Sequence, residues 1–398
     1  MMEINEKKRA MKIIFHLTFC LFVLLTSRKT KEEKTDLYTL QPSNEYLTYE
    51  IDSDTEIPRY NLYTFEDKGT EYLTFSNPYT RSILVYELKS GKFIKKIKFD
   101  VEGPNGIGNW LFGYLIKDFN HIYLPSANRE ELFLTDTTAV LKRKYDYSKT
   151  HDGKTTVKAY YTNMDYTQLI FMGDSLFIPQ MLNNRLGDRM VEESVTGVYL
   201  DTMTLKVSQF PMTYPNLLST EKARNVIYGT PAYSQICNGE DFIYSFSMDE
   251  KIYKVNPYTA HVETYPVKSR NLSRLKFYRI PNDFTSVLKK TCETARYGHI
   301  LYDKYRRVYY RFVYPETELE DNLNYLSILH SGKKEFSIMI LDEAFNVLGE
   351  TKFPSFSYVP HIGFIDEDGL YLSVSHFMRD DYSDDWLRFE RIDLIRDE

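Results

Sequence analysis

The side chains best suited to metal or acid–base chemistry are seven histidines after the first hundred residues: His121, His151, His261, His299, His330, His361 and His376. None of them falls at the H-x-x-x-H or H-E-x-x-H spacing that places two zinc ligands on one helix face. His299 and His361 differ from the others, because each begins a strand-like run, "GHILYD" and "PHIGFID". The pattern favours histidines of the core or of turns, and a ligand or metal site at these two positions is the alternative.

Other motifs that could carry chemistry are better explained as turns and loops. The stretch "GPNGIG" (103–108) lacks both G-x-G-x-x-G and a following Lys-Ser/Thr, so we expect a connecting turn that passes near the centre of the fold. The stretch "DEDG" (366–369) lacks the spaced ligands of a calcium loop and predicts a β-turn. The acidic run 379–386 reads as a solvated loop, and no G-x-S-x-G elbow occurs. We therefore assign no catalytic residue, no metal ligand and no cofactor.

Aromatic side chains are unusually frequent, at 15% of the chain with 34 Tyr and 25 Phe. Exposed rings can stack on sugars, and Trp110 and Trp386 are the two tryptophans. An aromatic-rich β protein, however, uses most of its rings in the core. The aromatic content therefore indicates β structure and identifies no sugar site.

The first 36 residues have the composition of an export signal followed by a tether. Basic residues precede an apolar stretch, 13–25, which is too short to cross a bilayer as a helix but typical of a signal peptide. We interpret 1–27 as signal-peptide-like and 28–36 as a polar tether. In a lipoprotein the position after "LTS" would be cysteine, but here it is Arg28, whose guanidinium cannot accept the lipid. We expect export to the periplasm or the outer-membrane surface, with membrane association through the N-terminus as an option.

Charge and cysteine content exclude two further classes of protein. The net charge of −6 provides no excess of cations to bind phosphates, so we expect no nucleic-acid partner. Only Cys20, Cys237 and Cys292 occur, which excludes a disulfide framework and leaves a Cys237–Cys292 bridge as the less favoured alternative.

The remainder of the chain repeats one strand-and-hairpin pattern six times, at 71–99, 121–147, 175–212, 241–267, 307–354 and 369–395. In four repeats an Asp or Asn begins the hairpin, and such side chains bond to backbone amides two residues on. These are Asp136, Asp201, Asn256 and Asp342. In the first repeat Gly91 supplies the positive φ that the turn needs.

Six repeats of three or four strands predict an all-β fold, a six-bladed β-propeller that forms a single domain over 37–398. We expect residues 47–51 to close the ring by pairing with the last strand near 387–394. Seven blades are the alternative, because 60–65 could begin an extra one. Two short helical insertions are predicted, at 282–296 with an Asn282 or Asp283 cap and at 317–330.

The chain resembles a known group in four features. These are its lipoprotein-style start, the stretch "EGPNGIGNW" (102–110), the aromatic blades and the ending "WLRFERIDL". This group is the exported six-bladed propeller lipoproteins of Bacteroidota, in domain-of-unknown-function family 4221. The resemblance covers roughly 35–396. It implies a TolB-like propeller and a periplasmic or cell-surface location, and it implies no known activity. The chain departs from the pattern at Arg28.

Three functions are compatible with these observations. The first is a binding protein of the cell envelope, with a protein or a glycan as its partner. The second is a hydrolase or lyase with its site at the mouth of the propeller channel. The enzyme requires at least three polar or titratable side chains with perturbed pKa values at that mouth, whereas apolar side chains there would argue against it. The third is a structural spacer, which predicts no pocket.

Overall fold

A computed structural model describes residues 36–77, 79–111, 113–159, 167–181, 194–215, 232–276, 278 and 281–397. From Leu37 onward the chain forms one compact unit. The predicted signal segment 1–27, Arg28 and the tether up to residue 35 lie outside the described residues. No helix in the described ranges is long and apolar enough to span a membrane.

The described strands form six antiparallel sheets of four strands, which we number as blades 1 to 6. Blade 1 consists of β2 (Leu62–Asp67), β3 (Thr70–Asn77), β4 (Ser82–Glu87) and β5 (Phe93–Lys98). Blade 2 consists of β6 (Leu115–Asp118), β7 (His121–Pro125), β8 (Glu131–Thr135) and β9 (Arg143–Asp146). Blade 3 consists of β10 (Ile170–Met172), β11 (Ser175–Pro179), β12 (Gly197–Asp201) and β13 (Val207–Gln209).

The second half of the chain continues in the same order. Blade 4 consists of β14 (Tyr233–Cys237), β15 (Phe242–Phe246), β16 (Lys251–Val255) and β17 (Val262–Pro266). Blade 5 consists of β18 (Arg296–Asp303), β19 (Val308–Tyr314), β20 (Phe336–Leu341) and β21 (Val347–Phe353). Blade 6 consists of β22 (Val359–Ile365), β23 (Leu370–Ser373), β24 (Trp386–Arg396) and the N-terminal β1 (Tyr38–Glu50).

The six blades form a closed ring. Strand β1 pairs antiparallel with β24, from Tyr38 opposite Arg396 to Glu50 opposite Trp386, so the two ends of the chain share one sheet. Each of the six interfaces between neighbouring blades has its own apolar cluster, including the interface between blades 6 and 1. Radial stacking thus covers both faces of every sheet, and the predicted six-bladed propeller with its closing strand is confirmed.

The sequence repeats correspond to the outer three strands of each blade. The innermost strands are short or carry no clear alternation, and most of them fall between the predicted repeats. The stretch 60–65, considered above as the start of a seventh blade, belongs to β2, which is the inner strand of blade 1. The alternative of seven blades is therefore wrong.

The predicted hairpin turns form as expected. Asp201 Oδ1 accepts hydrogen bonds from the amides of Met203 and Thr204, at 2.9 and 2.8 Å. The side chains of Asp136, Asn256 and Asp342 make equivalent bonds to amides two to four residues on. Gly91 has φ +68°, and a Cβ there would lie 2.4 Å from the carbonyl oxygen of Thr48. Local turn chemistry thus sets the end of each hairpin.

The two helices are shorter than predicted, and both lie on one face of the ring. Helix α1 (Phe284–Glu293) follows blade 4 and is capped by Asp283, which accepts from Ser286 N. Helix α2 (Tyr325–Ser331) lies between β19 and β20 and covers only the second half of the predicted span. Successive strands of a blade alternate in direction, so the loop before an inner strand and the loop between the second and third strands lie on the same face. Both helices are in such loops, and we call this face the insertion face.

The cysteines in the described part of the chain are both free. Cys237 ends the inner strand of blade 4, whereas Cys292 is buried in α1. The inner strand runs away from the insertion face and α1 lies on it, so a Cys237–Cys292 bridge is excluded.

Candidate functional site

The axis of the ring has two openings of different character. The inner strands begin at the insertion face and end at the opposite face. A cavity of about 590 Å³ lies along the axis, and all six blades contribute to its wall. Its lining residues lie near the start of the inner strands of blades 1 to 3 and near the end of those of blades 4 to 6. A second pocket, of about 440 Å³, lies on the insertion face.

The axial cavity is mainly apolar. Aliphatic and aromatic side chains from the inner strands form most of its wall, among them Leu62, Tyr63, Leu169, Ile170, Phe171, Ile236, Leu301, Tyr302, Phe364 and Ile365. The wall also contains the polar side chains of Thr64, Gln168 and Asn238 and one cation, Lys304, among its described lining residues. Burial raises the pKa of Tyr63, Cys237 and Tyr302 in this wall, and the described lining residues include no histidine and no carboxylate.

The second pocket, called the insertion-face pocket below, is lined by polar, ionisable and aromatic side chains. Its walls come from the loop before β2, from α2 and from the loop between β23 and β24. The lining residues are Thr55, Glu56, Ile57, Pro58, Arg59, Ser327, His330, Ser331, Val359, Ser375, Phe377, Tyr382 and Asp384. A concave site with a few polar groups and rings has the composition of a small-ligand site.

Local contacts hold two walls of the pocket in place, the loop before β2 and α2. In the loop before β2, the carbonyl of Asp54 accepts from Asn77 Nδ2 at 2.8 Å. Helix α2 is capped by Asn324, whose Oδ1 accepts from Ser327 N at 3.1 Å. Just beyond α2, the buried Lys333 donates to the carbonyl of Thr294 at 2.6 Å, and burial holds its pKa well below the ordinary value. The walls are therefore fixed by bonds to the rigid blades and to α1.

Arg59 and His330 meet inside the pocket. Arg59 Nη1 lies 3.0 Å from His330 Nδ1. Because a guanidinium only donates, Nδ1 is the acceptor and the neutral imidazole carries its proton on Nε2. Arg59 also forms an ion pair with Glu56 at 3.3 Å, and its side chain is 41% exposed. Burial and the charge of Arg59 both lower the pKa of His330.

Two further histidines lie close behind this pair. His361, on the inner strand of blade 6, makes hydrogen bonds with the backbone of Arg59 and of His330. Burial lowers its pKa to about 4 despite these bonds. His299, on the inner strand of blade 5, is 4% exposed and stacks on Phe312 with ring centroids 3.6 Å apart. Burial and the neighbouring His361 hold the pKa of His299 well below the ordinary value.

The structure thus brings together His299 and His361, the two positions that the sequence singled out, and adds His330 and Arg59. The sequence offered no signal for His330, because its contact with Arg59 joins residues 271 positions apart. The described residues contain no group of three or more His, Cys, Asp or Glu side chains that could hold a metal ion. What the arrangement provides is an array of basic side chains near the pocket.

The remaining motifs of the sequence, at 103–108, 366–369 and 379–386, do not belong to this group of histidines. The stretch 103–108 links blades 1 and 2, and Asn105 accepts a hydrogen bond from Leu141 N, which lies between the two outer strands of blade 2. The expectation that this turn passes near the centre of the fold is wrong. Asp366 closes the predicted turn at 366–369 by accepting from the amides of Asp368 and Gly369. The acidic run 379–386 contributes Tyr382 and Asp384 to the pocket wall.

Two histidines with lowered pKa values, the partly buried His361 and the fully buried His376, predict a loss of stability in acid. Burial lowers the pKa of His361 and of His376 to about 4, from an ordinary value of 6.5. The unfolded chain therefore binds more protons than the folded chain between pH 6.5 and 4, so stability is complete above this range and falls as the pH decreases. We expect a loss of about 2 kcal/mol per histidine between pH 7 and pH 5, measured by urea denaturation.

Single substitutions separate this effect from other titrations. His361→Gln should flatten the dependence of unfolding free energy on pH, because it removes one of the groups that take up a proton on unfolding. His261→Gln is the matched control, since the His261 side chain is 69% exposed. An equal pH dependence in His361→Gln and in the unaltered protein would contradict the assignment.

Comparisons with known proteins agree with this architecture. Residues 38–352 match the family described as Domain of unknown function (DUF4221). The chain is similar to the crystal structure of a DUF4221 member from Bacteroides vulgatus, with a TM-score of 0.79 and 24% identity over 92% of this chain and 100% of that chain. It is also similar to a Bacteroides fragilis protein provisionally described as exported, with a TM-score of 0.51 and 10% identity over 90% of this chain and 96% of that chain.

No match was found among curated proteins. The family match, in contrast, spans well over half of the sequence and runs from β1 into the last strand of blade 5. The protein is therefore a member of the DUF4221 family, with the six-bladed propeller as its fold.

Proposed function

We propose that this protein is an exported binding protein of the bacterial cell envelope, and that it holds its partner, a protein or a glycan, on the insertion face of the propeller. The observation that carries the proposal is the insertion-face pocket. It is concave, about 440 Å³ in volume, and combines hydroxyl groups, rings and ionisable side chains on walls that the blades hold in place. A spacer protein has no need of such a pocket.

The position of the pocket supports a binding role. Loops and insertions on a rigid scaffold are where binding sites usually lie. The pocket is formed mainly by such parts of the chain, namely two loops and α2, with Val359 at the start of β22. Ser327, Ser331 and Ser375 offer hydroxyl groups, and Phe377 and Tyr382 offer rings. This composition suits a polar ligand with one apolar surface, such as a sugar or a peptide side chain.

Export is proposed on the basis of the N-terminal sequence. Basic residues followed by the apolar stretch 13–25 are typical of a signal peptide. The Bacteroides fragilis protein with the same fold carries a provisional description as exported. Periplasm and outer-membrane surface are both compatible with this sequence, and Arg28 argues against a lipid on that residue.

The test is a binding screen with a variant in the pocket and a matched variant outside it. The purified full chain is applied to an array of envelope and dietary glycans and, separately, to envelope proteins of the native host. We expect Tyr382→Ala to weaken the binding of any specific ligand by about tenfold, the size of effect that loss of one stacked ring produces. Tyr258→Ala is the control, because Tyr258 is 79% exposed on a hairpin at the opposite face.

The same experiment also tests the alternative function, that of a hydrolase or lyase. A hydrolase or lyase is favoured by one observation, which is the three histidines with lowered pKa values at this end of the axis. Mass spectrometry of each bound glycan after incubation would show cleavage if the protein were such an enzyme. If Tyr382→Ala and Tyr258→Ala bind all ligands equally, the binding site lies elsewhere and the proposal fails.

A further inference from the structure

We propose that the insertion-face pocket recognises a carboxylate group on a small ligand, and that Arg59 and His330 hold this carboxylate. The inference rests on the proposed binding function and narrows it to one ligand chemistry. The carboxylate can belong to an acidic sugar or to the free end of a short peptide. These two sources share the group that the pocket would bind, and the experiment below separates them.

The geometry of Arg59 and His330 is the first argument. Two basic side chains lie in direct contact at 3.0 Å inside a pocket, and the guanidinium is 41% exposed, so a ligand can reach it. A guanidinium presents parallel N–H groups that match the two oxygens of a carboxylate. Its Nη2 already lies 3.3 Å from a carboxylate, that of Glu56, whose side chain is 54% exposed. An incoming carboxylate would replace Glu56 at this position.

The charge of the surroundings is the second argument. His361 lies next to the pair through the backbone of Arg59 and His330, and Arg296 and His299 interact with His361 electrostatically. In each of these histidines a neighbouring cation or histidine helps to lower the pKa. Histidines with lowered pKa values are neutral at pH 7, so Arg59 and Arg296 are the cations of this group. They give the inner end of the pocket a positive potential, which an anion would relieve.

The acidic groups of the pocket define its outer part. Glu56 pairs with Arg59, and Asp384 accepts a hydrogen bond from the hydroxyl of Tyr382. Both residues lie on surface loops, so they leave the region around His330 and His361 without a facing carboxylate among the described lining residues. We infer that a ligand would enter with its carboxylate toward His330 and its uncharged part toward Phe377 and Tyr382.

The volume of the pocket limits the ligand. About 440 Å³ lies within the range of small-molecule sites and excludes a folded protein domain as the group that enters. The serine hydroxyls of residues 327, 331 and 375 can bond to the hydroxyl groups of a sugar or to the amides of a peptide. A sugar acid or a short peptide with a free carboxylate therefore fits both the size and the chemistry.

Isothermal titration calorimetry on the full chain tests the inference with four probes. These are digalacturonate, the neutral disaccharide galactobiose, acetyl-alanyl-alanine, and the amide of that peptide. We expect at least one acid to bind about tenfold or more tightly than its neutral counterpart, since bonds to charged groups are worth this much. The acid that binds identifies the source of the carboxylate. Equal binding of acids and neutral counterparts, or no binding of either acid, overturns the inference.

Substitutions that change charge but little volume test the assigned residues. Arg59→Gln should weaken acid binding by about tenfold or more, whereas Glu56→Gln should strengthen it several-fold because it removes the competing carboxylate. Lys304→Gln is the control, because it removes a cation at the other end of the axis. Arg59 and Glu56 are both exposed enough that neither change should unfold the protein. Unchanged affinity in Arg59→Gln overturns the inference.

The pH dependence of binding supplies an independent readout. A bound carboxylate favours protonated His330, so binding takes up a proton and should strengthen as the pH falls from 8 to 6. The other charged groups that face the pocket are Arg59, Glu56 and Asp384. His361, with a pKa of about 4, remains neutral in this range. His330→Gln should remove the slope, and a slope that persists in this variant overturns the role of His330.

The same measurements separate this inference from the proposed function. If neutral sugars bind as well as acids and Tyr382→Ala abolishes their binding, the pocket is a binding site but recognises no carboxylate. If the glycan and protein arrays give ligands whose binding no pocket variant changes, the proposed function itself fails.

Discussion

Replacing Tyr49 with alanine should lower the free energy of unfolding by about 3–5 kcal/mol, one of the two largest single-residue effects that we expect. Tyr49 lies in β1, the strand that closes the ring, and is completely buried. Its ring packs edge-on against Tyr86 and Phe389, with centroids 5.5 and 5.8 Å away. Its hydroxyl donates to the carbonyl oxygen of Leu88 at 2.7 Å. One side chain thus joins the closing strand to blade 1.

Urea denaturation of three variants measures this effect. Tyr49→Phe keeps the ring and leaves the carbonyl of Leu88 without its donor, so it should cost about 1–3 kcal/mol. Tyr46→Ala is the control, because Tyr46 lies in the same strand but is 41% exposed. If Tyr49→Ala and Tyr46→Ala shift the urea midpoint equally, the closing contact does not stabilise the ring as we describe.

Replacing Arg311 with methionine should destabilise the protein by about 3–5 kcal/mol, because it leaves several buried acceptors without a donor. Arg311 lies in β19 of blade 5 and is fully buried. Its guanidinium crosses to blade 4, where it donates to Ser245 Oγ and to the main-chain carbonyls of residues 249, 250, 251 and 267, at 2.7–3.2 Å. It also lies 3.7 Å above the ring of Tyr297.

This arrangement compensates a buried charge with carbonyl dipoles. Burial lowers the pKa of Arg311 to about 10, so the side chain remains charged at neutral pH and needs every one of its acceptors. Arg311→Lys keeps the charge but offers one compact ammonium group, so it should lose most of the stability as well. Arg307→Met is the control in the same blade, because Arg307 is 73% exposed and pairs with Glu343 on the surface. A urea midpoint for Arg311→Met equal to that of Arg307→Met would refute the assignment.

Local chemistry made the hairpins of the blades predictable. An Asp or Asn that bonds to amides two residues ahead closes its turn whatever the rest of the chain does, as Asp201 shows. The repeat of such turns with strand-like runs between them was enough to predict sheets of similar size. The closure of the ring was also predictable, because the strand at 387–394 was left without a partner at the edge of its sheet, and the N-terminal end of the chain could supply one.

The weak helical periodicity of the two insertions predicted poorly which side of each helix is buried. By its spacing, Phe284 falls on the apolar side of the first predicted helix, but it is 70% exposed, because α1 packs mainly through Cys292, in a cluster with Tyr325 and Ile328 of α2. By its spacing, Leu326 falls with Leu319 and Leu323 on one side of the predicted helix 317–330, but it is 43% exposed, since α2 begins only at Tyr325. In short insertions, the surface against which a helix packs decides its buried side, and the sequence of the helix does not contain that surface.

The sequence by itself determined the class of fold, the repeat and the family, because each of these depends on contacts within a few residues or on a pattern repeated along the chain. It also predicted the closure of the ring, which pairs the two ends of the chain, because a strand left at an open edge needs a partner. Only the tertiary structure decided which side chains meet. Arg59 reaches His330 across 271 positions, and Arg311 reaches the carbonyls of the preceding blade more than 40 positions away. Such pairs depend on the angle between blades and on where each loop crosses the ring. These are properties of the assembled ring as a whole, so no segment of the sequence specifies them alone.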